Sequence, residues 1–169
     1  MTQTIAQLLG IIGAAFNIGS FQLKSNKKLI LSQFLGSSFF LFNYLLLGAY
    51  TGCFMNGMGV VRNFIFLGGE KTRKPYILIL INVALIVGTI LTWQSFLSIF
   101  PLIGMIAATV AMYLNNGKVI RATQLFISSP AWLVYNFASG TIGGVACEIF
   151  VIVSTGISFI RFGLDGFEK

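Results

Sequence analysis

A chain of 169 residues with 56% hydrophobic and 9% charged side chains and a mean hydropathy of +0.89 has too few polar groups to cover a soluble domain. Its net charge of +7 would suit nucleic acid only as a basic face on a soluble fold, but the lysines and arginines sit almost entirely between or beyond apolar runs. That placement excludes nucleic acid and makes the lipid bilayer the first partner. The absence of histidine, the two distant cysteines and the lack of a carboxylate pair leave zinc sites, histidine triads and two-acid hydrolysis without candidates. The expectation is therefore a membrane protein that is not an enzyme and uses no metal or cofactor.

Seven runs are long enough to cross a hydrocarbon core of about 30 Å. The first, Ile5 to Leu23, has no basic segment before it and no cleavage site, so it reads as a retained helix that carries Asn17. Lys24, Lys27 and Lys28 separate it from the second, Leu29 to Leu47, which holds Asn43 and Tyr44. The third, Gly52 to Gly68, carries Asn56, Arg62 and Asn63, with Gly59, Val60 and Asn63 on the face of Asn56 at i+3, i+4 and i+7. A loop with Glu70, Lys71, Arg73 and Lys74 leads to the fourth, Tyr76 to Trp93, where Trp93 reads as an interfacial anchor. The fifth, Phe96 to Leu114, contains Pro101; the sixth, Val119 to Ala138, contains Pro130, Trp132, Tyr135 and Asn136. The seventh, Ile142 to Phe162, contains Cys147 and Glu148, and Arg161, Asp165, Glu168 and Lys169 end the chain. Every lysine falls in a loop or tail, which excludes a retinal-type Schiff base inside the bundle.

The basic residues follow helices 1, 3, 5 and 7 and are missing from the other connectors, so the positive-inside rule puts the N-terminus outside and the C-terminus in the cytoplasm. The chain also repeats when residue n is laid on n+91: Gly13 meets Gly104, Lys27 meets Lys118, and Gln33 meets Gln124. In the same register Ser37 and Ser38 meet Ser128 and Ser129, Tyr44 meets Tyr135 and Gly52 meets Gly143. Helices 1 to 3 then match helices 5 to 7, with helix 4 between them. An odd-numbered bundle repeated across one extra helix gives parallel halves related by an axis along the membrane normal. The expected fold is all-α: residues 1–68 as one triple-helix bundle, 69–95 as a basic cytoplasmic loop and linker helix, and 96–169 as a second bundle with a short tail.

This 3-1-3 plan resembles the SWEET and PQ-loop superfamily. Two local patterns carry the likeness: "WLVY" at Trp132 to Tyr135 and "NGMG" at Asn56 to Gly59, the second near mid-membrane. Each half keeps one of the two, because Leu41 stands where Trp132 does and Cys147 where Asn56 does. The resemblance implies a sugar-like, neutral polar solute held at mid-membrane by Asn56, Asn63, Trp132, Cys147, Tyr44 and Tyr135. It also implies hinges at Pro101 and Pro130, although Gly10 and Phe39 occupy the matching positions of the first half and the superfamily's Pro-Gln signature is missing. The segment "LLLGAYTGCFMNGMGVVRN" is similar to the YgjV family of bacterial inner membrane proteins, which implies the inner membrane as location. A non-transporting receptor or assembly scaffold on the same fold is the alternative.

Two charges fall deep inside the spans, Arg62 and Glu148, whereas Arg121 and Arg161 lie at span ends. A carboxylate in hydrocarbon costs about 2.5 kcal/mol or more, so Glu148 must be enclosed, paired or protonated. Helix geometry turns Glu148 and Arg62 toward one flank of the expected pocket, where they interact directly or through water or a polar neighbour. The rival reading makes Glu148 a proton-coupling group, and the plainer one has it bonded to hydroxyl or backbone groups. For Asn17, Asn43, Asn82 and Asn136 the simplest role is interhelical hydrogen bonding, and for Trp132 it is an aromatic packing anchor.

Overall fold

Burial runs opposite to that of a soluble protein. Asn43, Asn63, Thr109, Arg121, Ser129 and Thr155 are wholly buried, whereas Phe64, Leu91, Phe126, Phe137, Ile142 and Ile160 stand exposed. Such a surface is stable against lipid, where the backbone must satisfy itself and only helices or closed barrels suffice. The computed structural model describes residues 2–163 and residue 167; Asp165, Glu168 and Lys169 lie outside the described residues. Among the described residues there are helices, turns and bends but no strands.

The helices are α1 (Thr2–Ser20), α2 (Asn26–Leu46), α3 (Tyr50–Leu67), α4 (Pro75–Leu91), α5 (Ile99–Leu114), α6 (Gly117–Thr123), α7 (Ser129–Ala138) and α8 (Ile142–Phe162). A π-helical turn, Gln124–Ser128, joins α6 to α7, so the two form a single rod and the chain makes seven rods among the described residues. The turn and Pro130 belong together. Proline offers no N–H to the carbonyl of Phe126, and the widened turn instead sends the Ser129 N–H to the Gln124 carbonyl, five residues back. Pro101 has a different place. It lies in the first turn of α5, directly after the 3-10 turn Phe96–Ser98.

Local chemistry accounts for the ends. α2 and α7 both stop at a glycine with positive φ, Gly48 at 70° and Gly140 at 65°. In both, the next amide reaches back to the last turn, Ala49 N–H to the Tyr44 carbonyl and Thr141 N–H to the Asn136 carbonyl, each at 3.0 Å. Asn116 caps α6 by accepting hydrogen bonds from the amides of Lys118 and Val119 at 3.0 and 3.2 Å. Pro75 opens α4 at a position where proline needs no donor.

Three segments are long and apolar enough to cross a membrane by length and composition alone: Asn26–Leu46, Phe96–Leu114 and Ile142–Phe162. Pro75–Leu91 is apolar but shorter, with 17 residues. α1 and α3 are more polar because they turn Asn17, Ser20, Asn56, Arg62 and Asn63 away from lipid.

Packing follows a ring. α1 packs on α2, α2 on α3, α3 on α5, α5 on the α6–α7 rod, α7 on α8, and α8 back on α1. α4 stands outside the ring against α3 and α5. α1 and α8 run parallel, because Gly143 meets Gly10 near one end while Ser154 donates to the Ile18 carbonyl at 2.9 Å near the other. The connectors sort by charge. Arg121 donates to the carbonyls of Phe21 and Leu23, and Arg73 to that of Met112, so the basic connectors share one end. At the other end Thr51 donates to the Thr92 carbonyl and Gln94 to that of Gly48, where the connectors carry no charge.

Candidate functional site

The ring encloses a cavity of about 70 Å³, room for a handful of waters. Every ring rod contributes to its wall: Asn17 and Phe21 from α1, Gln33, Ser37, Phe40 and Tyr44 from α2, Asn56 and Arg62 from α3, and Met105 and Ala108 from α5. Gln124, Ser128, Trp132 and Asn136 come from the α6–α7 rod, and Glu148 and Val151 from α8.

Arg62 is held by polar neighbours. Its Nε donates to Asn63 Oδ1 at 3.0 Å and its Nη1 to Thr109 Oγ1 at 3.3 Å, while Nη2 makes no hydrogen bond among the described residues. Glu148 lies beside the Ser129 hydroxyl, and its Oε2 is buried without a hydrogen-bond partner. Both side chains line the cavity, but among the described residues neither has an oppositely charged side chain for a neighbour. The direct form of the expected Glu148–Arg62 contact is therefore not made.

Around Glu148 the wall is aromatic. Tyr44, which shares the cavity wall with Glu148, lies 6.0 Å from Trp132 and 6.2 Å from Tyr135 between ring centroids, and Trp132 meets Tyr135 edge-on at 6.0 Å. Glycines let this cluster form, since a Cβ on Gly52 would lie 2.8 Å from Tyr44 and one on Gly104 3.0 Å from Trp132. Asn56 donates to the carbonyl of Gly52 one turn back at 3.0 Å, and its Oδ1 accepts no hydrogen bond among the described residues.

Of the residues singled out for a solute, the cavity gathers Asn56, Trp132 and Tyr44. Asn63 stands behind the wall as the support of Arg62, Cys147 turns toward Asn17 between α8 and α1, and Tyr135 lies above the cavity. Cys53 and Cys147 are both free thiols. Four polar wall residues passed over as site candidates, Gln33 with Gln124 and Ser37 with Ser128, are pairs already matched by the 91-residue repeat. Their signal was therefore present in the sequence.

Hydrogen bonds between rods lie at both ends of the cavity. At the uncharged end the Tyr44 hydroxyl donates to Asn136 Oδ1, and the Tyr135 hydroxyl accepts from the Gly52 amide at 2.9 Å. Beyond them is an open depression of about 260 Å³ lined by Gly48, Gln94, Ser98 and Tyr135. At the basic end Arg121, fully buried, donates to the Leu23 carbonyl at 2.6 Å and the Phe21 carbonyl at 3.3 Å, and Phe21 is itself a wall residue. Phe167 covers the Arg121 guanidinium at 4.0 Å from its ring centroid.

A sequence profile described as a bacterial inner membrane protein matches residues 4–165. The chain is 25% identical to inner membrane protein YgjV of Escherichia coli (strain K12) over 170 aligned positions, covering 97% of this chain and 91% of that protein. No solved structure matches it. With the profile spanning nearly its whole length over an inside-out helical bundle, the chain belongs to the YgjV family of bacterial inner membrane proteins.

Proposed function

We propose that this protein is a transporter or facilitator for a small, net-neutral polar solute, held in the cavity between the two three-helix halves. The observation that carries the reading is the polar cavity at the centre of the ring, with donors and acceptors from opposite rods and a set of inter-rod hydrogen bonds at each end. A scaffold has no need of such an interior, since each unpaired buried polar group costs about 1–3 kcal/mol. Alternating release of the two ends would expose the cavity to one side at a time. No covalent chemistry is assigned to it.

The test is uptake of radiolabelled solutes into proteoliposomes together with ligand-induced thermal stabilisation. Asn56→Leu is expected to abolish both while leaving membrane insertion intact. If no small solute moves or binds, the second reading, a non-transporting receptor or scaffold, takes its place; the small size of the cavity, about 70 Å³, favours that reading.

The proposed orientation is N-terminus outside and C-terminus cytoplasmic, from the gathering of basic connectors at one end. With Cys53 and Cys147 replaced by alanine, cysteines at Gln3, Gln94 and Ser139 should label from outside intact cells. Those at Ser25, Thr72 and Asn116 should not, and the opposite pattern would reverse the orientation.

A further inference from the structure

The cavity wall holds one basic and one acidic side chain that do not meet. Arg62 is 3% exposed and Glu148 9%, so both are enclosed, and among the described residues neither has an oppositely charged neighbour. Two enclosed charges left apart are costly, whereas a bound ligand carrying the complementary charges would satisfy both. They also differ in depth. Arg62 is twelve residues into α3 and Glu148 six into α8, an offset of roughly 9 Å along the bundle at 1.5 Å per residue.

The surroundings of each charge sharpen the chemistry. Glu148 shares the wall with Tyr44 and Trp132, and a carboxyl group beside aromatic rings suits an ammonium group. Arg62 has its Nε and Nη1 engaged by Asn63 and Thr109, which fixes the fork and leaves Nη2 for an acceptor. With Nη1 also beside Met105 Sδ, the free Nη2 suits a single charge-assisted bond to a carboxylate.

We infer that the cavity binds a small zwitterion of the amino-acid class, its ammonium group between Glu148 and the Tyr44–Trp132 faces and its carboxylate on Arg62. This narrows the net-neutral polar solute of the proposed function and rests on that reading. It replaces the sugar-like solute with one whose two charges cancel each other and those of the site. The volume sets a size limit: a few heavy atoms with at most a small side chain.

The experiment compares glycine and L-alanine with propionate, ethylamine and glycerol, each at the same concentration. Thermal stabilisation of the purified full-length protein and uptake into proteoliposomes are the readouts. The two zwitterions should stabilise the protein and be taken up, and the three fragments should do neither. Glu148→Gln and Arg62→Gln should each weaken L-alanine binding by about ten- to hundredfold, the worth of one charge-assisted hydrogen bond. They should also shift preference in opposite directions, Glu148→Gln toward propionate and Arg62→Gln toward ethylamine, a crossover that lost stability alone cannot produce. If either variant fails to fold, the panel on the natural protein still decides. Glycerol or a single-charge fragment performing as well as L-alanine would overturn the zwitterion and leave the transport reading standing. Silence from every solute in both readouts would overturn the two together.

Discussion

Glu148 shows how one residue's setting limits what it can be. It sits on a helix that is otherwise apolar or small around it, it reaches the cavity, and one of its oxygens is buried with no partner. Because Arg62 does not touch it, removing both charges should show no mutual rescue. In a double-variant cycle, Glu148→Gln and Arg62→Gln are expected to change unfolding stability additively, with a coupling below about 0.5 kcal/mol, as for groups that share no partner. A directly bonded pair would instead return a large part of the roughly 3–5 kcal/mol lost on breaking it. The measurement is denaturant or thermal unfolding in detergent without ligand, and strong rescue would place the two side chains in contact. The phase of α8 explains why spacing alone named Cys147 for the wall. Successive helical residues are turned by about 100°, so a small roll of the helix takes Cys147 toward Asn17 and brings Glu148 to the cavity. Repeat register fixes which residues correspond, and the roll of each helix is set by packing that a single sequence does not spell out.

At the scale of elements, helix ends were far more legible than helix faces. Asn116, Gly48, Gly140 and Pro75 mark boundaries through local chemistry that needs no partner, and the last span, Ile142 to Phe162, coincides with α8. The π turn before Pro130 was not legible, since a proline within a span announces a distortion without its form. Nor was the position of α4, whose sequence, apolar apart from Tyr76, Asn82 and Thr89, gives little face to orient. Its contact with the ring depends on Gly88, where an added Cβ would lie 2.0 Å from the ring of Phe54 on α3. Gly88→Ala is therefore expected to force α4 and α3 apart and destabilise by about 1–3 kcal/mol, the usual cost of overpacking. Gly19→Ala is the control, because a Cβ there meets nothing within 4 Å, and its effect should be neutral or slightly stabilising. Equal losses from the two substitutions would mean that α4 does not lean on α3 through this glycine.

For the whole molecule, the two ends of the ring are closed by different chemistry, and that difference makes the proposed alternation testable. The uncharged end rests on neutral hydrogen bonds from Tyr44 and Tyr135, and the basic end on the charged clamp from Arg121 to two carbonyls just beyond α1. Loss of a neutral bond costs about 0.5–1.5 kcal/mol and loss of one to a charged group about 1.5–3 kcal/mol, so each closure can be weakened separately. With Cys53 and Cys147 replaced by alanine and a single cysteine placed at Ser37 in the cavity wall, the readout is the labelling rate from each side of the membrane. Arg121→Gln should raise labelling by about ten- to hundredfold in inside-out vesicles and lower it in right-side-out ones, because a shift of 1.4 kcal/mol is a tenfold change in population. Tyr135→Phe, which keeps the ring and removes only the acceptor of the Gly52 amide, should do the reverse with a smaller amplitude. Equal acceleration from both sides by either variant would mean that these bonds only hold the bundle together. Opposite shifts would identify them as the closures of a single two-state ring, in which opening one end requires the other to stay shut.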